Sequence, residues 1–333
     1  MRPFKYTTAQ DAASAIQMVS ENTNARFLAG GTNLLDLMKE DIERPEQIID
    51  ISRLSLTQIK AISGNAGGVS IGALGRNTDA ANHPLIRQQY PLLTQAILAG
   101  ASGQIRNMAT NGGNLLQRTR CPYFYDVAMP CNKREPGSGC GALEGINRMH
   151  AIFGWSEKCV AVYPSDMAVA LAALDATVKV KNAAGTERAI AFADFHRLPG
   201  DMPEKDTTLN QGEMITAIEI PKNNFADKSY YLKVRDRSSY AFALVSVAAG
   251  LELSGNKITK ARIAMGGVAH KPWRALKAEE LLIGKEATEA NFKLAADAEM
   301  AEAKPLEYNK FKVELGNRSI VRALQMALNG GKS

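Results

Sequence analysis

Apolar residues recur along this chain with two periods, and the switches between them mark its elements. Ala12, Ala13, Ile16 and Val19 fall on one face of a helix that Thr8 is placed to cap. Arg26-Phe-Leu-Ala29 reads as a short buried strand, broken by Gly30-Gly31. Helical spacing resumes from Asn33 to Lys39, and Gln47–Ile51 is a further strand after Pro45, so residues 1–52 form a small α/β unit. Between Ile59 and Ala73 two short strands flank Gly64-Asn-Ala-Gly-Gly68, a hairpin pattern. Helical sequence follows through Leu92–Leu98, and Ser165 caps another helix ending at Leu174. Strands are expected at Ala176–Lys181 and Glu213–Ile220. Beyond the polar break Pro221–Lys228, taken as a domain boundary, come strands at Tyr230–Val234, Ala241–Leu253 and Lys260–Gly266, then C-terminal helices. No internal repeat or low-complexity tract is present.

One stretch, 118–158, has no period. It is rich in Gly, Pro, Arg and Asn and reads as a long irregular loop, a kind of segment that is usually functional. A chain of 333 residues with 45% hydrophobic content supports two or three domains with substantial cores. Its net charge of +6 is spread among acids rather than gathered in a stripe, which argues for a solvated surface over a nucleic-acid footprint. The N-terminus has no apolar core of a secretory signal, and the longest mostly apolar run, Ala241–Leu251, is too short to span a bilayer. A soluble protein is expected.

Two glycine turns carry the first candidate chemistry. Leu28-Ala-Gly-Gly-Thr-Asn-Leu34 follows a strand and opens a helix; Thr110-Asn-Gly-Gly-Asn114 repeats the theme, and each turn runs into Asn-Leu-Leu. Glycines let backbone N–H groups approach a ligand closely, the helix start adds a positive dipole end, and Thr32 and Asn33 add side-chain donors. This suits a pyrophosphate. Neither the Rossmann nor the P-loop pattern is present. One Gly-Gly alone is an ordinary tight turn; two in this context favour a ligand clamped between loops.

The four cysteines, Cys121, Cys131, Cys140 and Cys159, all follow the second turn with the spacing C-x9-C-x8-C-x18-C. They are too few for a disulfide scaffold. No C-x2–4-C pair marks structural zinc and no ferredoxin run is present, so spacing leaves zinc and iron–sulfur both open. Between Arg106 and Lys158, seven Lys and Arg face four acids, an excess of three positive charges that favours a net-negative iron–sulfur cluster. The alternative is four ordinary buried thiols, for which a Gly/Pro-rich loop is a poor setting. His83, His150, His196 and His270 are isolated and read as capping or surface residues; only His150 lies inside the cysteine loop. No nucleophile elbow, paired-carboxylate signature or DNA-reading helix appears.

The two turns, in this order and at this distance, resemble the flavin subunit of the molybdenum hydroxylases, which include xanthine dehydrogenase, carbon monoxide dehydrogenase and aldehyde oxidoreductases. Gln104-Ile-Arg-Asn-Met-Ala109 before the second turn, Pro164-Ser-Asp166, Gly212–Pro221, Lys233-Val-Arg-Asp-Arg237 and Arg262–Ala269 extend the resemblance nearly end to end. It implies an α+β fold: a two-subdomain FAD-binding domain of the p-cresol methylhydroxylase type over 1–222 (subdomains about 1–55 and 56–222), then a C-terminal α+β domain over 228–333 like that of carbon monoxide dehydrogenase flavoprotein. It implies that Phe27, Leu28, Ala29, Gly30, Gly31, Thr32, Asn33 and Leu34, with Thr110, Asn111, Gly112, Gly113 and Asn114, hold the FAD pyrophosphate, and that Asp166, Ile215 and Lys233 line the flavin site. Asn111 is a departure, since many relatives have a small or aliphatic residue there. The cysteine insertion, 118–160, is absent from most of the family. With Arg118-Thr-Arg-Cys-Pro-Tyr-Phe-Tyr125 it resembles that of the flavin subunit of bacterial heterotrimeric periplasmic-type aldehyde oxidoreductases, where it binds a [4Fe-4S] cluster.

The resemblance thus implies an FAD and [4Fe-4S] electron-transfer subunit, with the molybdenum cofactor in a large partner subunit and [2Fe-2S] clusters in a small one. It acts in the oxidation of aldehydes to carboxylic acids and passes electrons to an external acceptor. No residue of this chain is expected to act as an acid–base catalyst. The compartment implied is the periplasm, reached by co-export with a signal-bearing partner, with the cytoplasm as the alternative. Rival readings are a flavin subunit of a 4-hydroxybenzoyl-CoA reductase or xanthine dehydrogenase-like complex, a stand-alone flavin oxidase or reductase of the same fold, and a basic iron–sulfur nucleic-acid-binding module. With 6% aromatic residues the last has few stacking platforms.

Overall fold

A computed structural model of the chain describes residues 1–64 and 67–331. The tip of the expected hairpin at Gly64–Gly68 includes residues 65 and 66, which lie outside the described residues.

Three sheets organise the fold. Strands β1 (Lys5–Thr8), β2 (Ala25–Leu28) and β3 (Gln47–Asp50) form a parallel sheet in the order β1-β3-β2. The helices Ala12–Glu21 and Leu34–Lys39 serve as its crossovers. Asp11, not Thr8, caps the first helix: it accepts from the Ser14 N–H at 2.8 Å in a capping box, while Thr8 ends β1 paired with Asp50. Strand pairing claimed the residue that helical spacing alone had favoured.

Strands β4 (Ile59–Ala61), β5 (Val69–Gly72), β6 (Thr177–Lys181), β7 (Glu187–Ala191) and β8 (Met214–Ile220) form an antiparallel sheet in the order β4-β5-β8-β6-β7. The buried helix Asp166–Ala173 packs in the core of this unit, capped by Ser165, whose hydroxyl accepts from the Ala168 N–H at 3.0 Å. Strand β7 had no sequence signal, because Glu187-Arg-Ala-Ile-Ala191 buries only Ile190.

Strands β9 (Ser229–Val234), β10 (Val245–Ser254), β11 (Lys257–Gly266) and β12 (Trp273–Arg274) form a third, antiparallel sheet in the order β12-β11-β10-β9. The C-terminal helix Phe311–Leu328 packs on it through Ile320, Ala323, Leu324 and Ala327. The expected strand from Ala241 begins only at Val245, leaving residues 235–244 as a loop. Residues 118–160 are irregular as expected, holding only the short helices Pro122–Tyr125 and Gly141–Glu144. No helix among the described residues is long and apolar enough to cross a membrane.

Candidate functional site: two glycine turns and a thiol cluster

The first turn leaves the C-terminal end of β2, where parallel α/β sheets place their ligands. Gly31 sits at φ +72°, which glycine adopts without strain. A Cβ on Gly30 would overlap the Met108 carbonyl, so the two turns pack backbone against backbone. Among the described residues no acceptor takes the N–H groups of Gly30, Gly31, Thr32, Asn33 or Leu34. Asn33 Nδ2 is also buried without a partner, while its Oδ1 accepts from the Arg118 N–H at 2.9 Å. Such a run of unpaired donors is costly unless a ligand or water takes them. Its chemistry fits an anionic diphosphate.

The second turn is built differently. Asn111 N–H donates to the Gly75 carbonyl (2.9 Å), Gly112 to Ala73 (2.7 Å), Gly113 to the Thr110 hydroxyl (3.2 Å) and Asn114 to the Thr110 carbonyl (2.8 Å). All four donors are consumed within the chain. What this turn supplies is close approach: a Cβ on Gly112 would press on Ala73 at 3.0 Å. Asn111 is fully buried; its side chain donates to Gly72 O (3.2 Å) and accepts from Asn77 Nδ2 (3.0 Å). From behind, the Tyr163 hydroxyl donates to the Asn114 and Leu115 carbonyls (3.0 and 2.9 Å), and His196 Nε2 to Leu115 O (2.9 Å).

Two chambers meet at these turns. One, of ≈ 350 Å³, takes Phe27 to Leu34 along one wall with Thr110, Gly112, Gly113 and Ile215 opposite. The other, of ≈ 480 Å³, is lined by Thr32, Asn33, Gly113, Asn114, Asp166 and Lys233, with Tyr240 and Phe242 at its rim. Ile215 is thus parted from Asp166 and Lys233, and only a ligand running through both chambers touches all three. Asp166 and Lys233 form a buried ion pair at 2.8 Å; Lys233 also donates to Ala99 O, and the Tyr231 hydroxyl donates to Asp166 at 2.6 Å. Burial, and then the Asp166 carboxylate, hold that phenol well above its ordinary pKa, so it stays protonated. Tyr231 carried no motif in the sequence and was not expected here.

The cysteine stretch converges behind the turns. Cys131 and Cys140 face each other across an antiparallel bridge, and Cys121 and Cys131 share one apolar cluster with Leu37 and Phe124. Burial pushes the Cys121 thiol up to about 12, with Cys159 and Cys131 adding to the rise. Burial likewise lifts Cys159 to about 11; Lys133 opposes this, and Cys140 and Cys131 reinforce it. Cys121, Cys131 and Cys159 thus lie near one another, and Cys140 lies near Cys159 and across the bridge from Cys131. All four are free, and no three His, Cys, Asp or Glu among the described residues are set to close on one metal ion.

The positive excess of this stretch is mostly cancelled from outside it. Arg118 pairs with Glu43 and Asp206 (both 2.6 Å), Lys133 with Asp206 (2.5 Å), Arg120 with Asp36 (2.9 Å) and Arg148 with Asp236 (2.8 Å). Burial opposes the ionised Asp206, but Lys133 and Arg118 hold its carboxyl below the usual range. The local charge count therefore loses its force as an argument for a cluster. The same pairs show what anchors the loop: Arg120 fixes its start to the helix that follows the first turn, and Arg118 to Glu43 just beyond that helix and to Asp206.

The histidines also depart from expectation. His150, His196 and His270 are buried; only His83 is partly exposed, and its side chain makes no cap bond. His196 packs among Tyr163, Phe192 and Phe195, and burial lowers it to about 4. His150 Nε2 lies 3.1 Å from Cys121 Sγ.

Comparison with known proteins agrees with this architecture. Residues 2–223 match the model of the FAD binding domain in molybdopterin dehydrogenase, and residues 230–327 that of the CO dehydrogenase flavoprotein C-terminal domain. The chain belongs to the FAD-binding subunits of the molybdenum hydroxylase family. It is 49% identical over 327 residues to the aldehyde oxidoreductase FAD-binding subunit PaoB of Escherichia coli, covering 98% of this chain and 99% of that one. It is 31% identical to the glyceraldehyde dehydrogenase medium chain of Sulfolobus acidocaldarius, over 85% and 82% of the two. Among solved structures, carbon monoxide dehydrogenase from Hydrogenophaga pseudoflava lacking the Mo-pyranopterin moiety superposes with a TM-score of 0.77 at 25% identity, over 99% of both chains. The fold is thus the two-part flavoprotein architecture of that family, and the chain is an oxidoreductase subunit.

Proposed function

We propose that this chain is the FAD- and [4Fe-4S]-carrying electron-transfer subunit of a molybdenum-dependent aldehyde oxidoreductase. The carrying observation is the run of five N–H groups at Gly30–Leu34 that have no partner among the described residues and face one chamber, with four cysteines of one loop close together nearby. Near full-length similarity to an aldehyde oxidoreductase FAD-binding subunit supports the substrate class.

FAD, when bound, supplies one- and two-electron redox chemistry. The chain's residues bind and orient it: the first turn's amides and Asn33 take the diphosphate, Gly113 lets it pass between chambers, and the Asp166–Lys233–Tyr231 group walls the second. Cys121, Cys131, Cys140 and Cys159 are the ligand set for the cluster. A single zinc ion needs its sulfurs about 2.3 Å from one point. Four thiolates are also the full ligand set of a [4Fe-4S] cluster, whose larger core accepts sulfurs set further apart. The raised thiols at Cys121 and Cys159 make loading a proton-releasing step. In this reading the molybdenum cofactor sits in a large partner and [2Fe-2S] clusters in a small one. The subunit stands between those clusters and an external acceptor, in the periplasm by co-export with a signal-bearing partner.

Co-purification from the native source, with metal and flavin analysis, tests the assembly. A heterotrimer holding molybdenum, FAD and iron beyond the small subunit's share is expected, with aldehyde turnover only in the complex. Turnover by this chain alone with flavin indicates the stand-alone oxidase; a folded preparation without flavin and iron contradicts the reading.

A further inference from the structure

We propose that His150 is a positioning residue for the thiol cluster: its Nε2–H donates to Cys121 Sγ and sets the reduction potential of the iron–sulfur centre those thiols hold. The inference rests on the cluster reading above.

The ring is fixed independently of any metal. His150 is 2% exposed. Its main-chain N–H donates to Asn147 O (3.0 Å), and its carbonyl accepts from Lys312 Nζ (3.0 Å) and Asn309 Nδ2 (3.1 Å). Lys312 itself is fully buried and also donates to Gly267 O at 2.8 Å, so the C-terminal helix holds this backbone from below. The imidazole lies against the Tyr123 ring, with centroids 6.1 Å apart. Its Nδ1 has no partner among the described residues, whereas its Nε2 is 3.1 Å from the Cys121 sulfur. A proton on Nδ1 would be a buried, unsatisfied donor; on Nε2 it has an acceptor. The neutral tautomer with Nε2–H follows.

Among the described residues no other side-chain donor reaches any of the four sulfurs. The device is therefore asymmetric and marks one corner of the site. A hydrogen bond to a ligating thiolate draws density from it and favours the reduced, more negative cluster. Outer-shell donors of this kind orient a ligand as well as tune its metal.

The test is an EPR-monitored redox titration of the holoprotein, with iron, acid-labile sulfide and FAD counted on the same sample. His150→Phe keeps a ring against Tyr123 and removes the donor; His150→Gln keeps an N–H. With full iron content, the Phe variant is expected to show a lower cluster potential and an unchanged flavin potential, and the Gln variant to recover most of the shift. If the Phe variant sheds its cluster, retention in the Gln variant at near wild-type potential supports the donor role, and loss from both overturns it. A Phe variant with full iron and an unshifted potential overturns this inference alone. A wild-type protein without iron and sulfide overturns the cluster reading and this inference with it.

Discussion

The two glycine turns look alike in sequence and differ in what they offer. At Gly30–Leu34 five consecutive amides have no partner among the described residues, whereas at Asn111–Asn114 every amide is spent on Ala73, Gly75 or Thr110. The first is a donor surface; the second is a smooth, rigid wall against which that surface packs. A glycine motif thus reports that backbone comes close to something, and only the hydrogen-bond inventory says whether that something is a ligand or the protein itself.

Gly30→Ala breaks the arrangement most severely. Its Cβ would overlap the Met108 carbonyl, a backbone atom that cannot swing aside. We expect near-complete loss of bound flavin by absorbance, with overpacking strain of about 3 kcal/mol in chemical denaturation.

Acid attacks the other side. His196 supports the second turn through Leu115 O and is lowered to about 4 by burial. Between that value and about 6.5 the unfolded chain binds a proton that the folded chain does not, so stability falls as pH drops through this window. The loss from this one group is on the order of 3 kcal/mol by pH 4. It is measured as the shift in urea midpoint between pH 7 and 4.5, and His196→Gln should flatten it.

Cys131→Ser asks whether the thiol loop and the first turn are separate. Arg118 ties the loop to Asn33 and Glu43, and Arg120 ties it to Asp36. Iron should therefore be lost and flavin affinity should also fall, about fivefold for roughly 1 kcal/mol of lost bracing. Unchanged flavin affinity would show the loop to be mechanically independent. The smallest effect is expected from Thr110→Ala, which removes a cap worth about 1 kcal/mol of stability. Because the Gly113 amide is not a ligand donor in this account, flavin affinity should hardly move in fluorescence titration.

Much of this was legible in the sequence. The strand–glycine–helix passage at 25–39, the Ser165 cap and the gathering of all four cysteines are local patterns, and the fold built on them is the one found. What escaped depended on distance along the chain. The Gly112 amide is consumed by a carbonyl 39 residues earlier, and the cations of the cysteine loop are balanced by Asp36, Glu43, Asp206 and Asp236, none of which a local charge count includes. The histidines were missed for a related reason. His196 packs on Phe192 and Phe195 beside it in sequence, but Tyr163, which closes over the ring from 33 residues earlier, is not visible to a local reading.

Amide hydrogen exchange on flavin-free and flavin-loaded protein separates the ligand-binding turn from the wall behind it. The amides of Gly30 to Leu34 should exchange rapidly without flavin and become strongly protected with it, while those of Asn111 to Asn114 are protected in both states. Flavin-dependent protection at Asn111–Asn114, with none gained at Gly30–Leu34, would contradict the account.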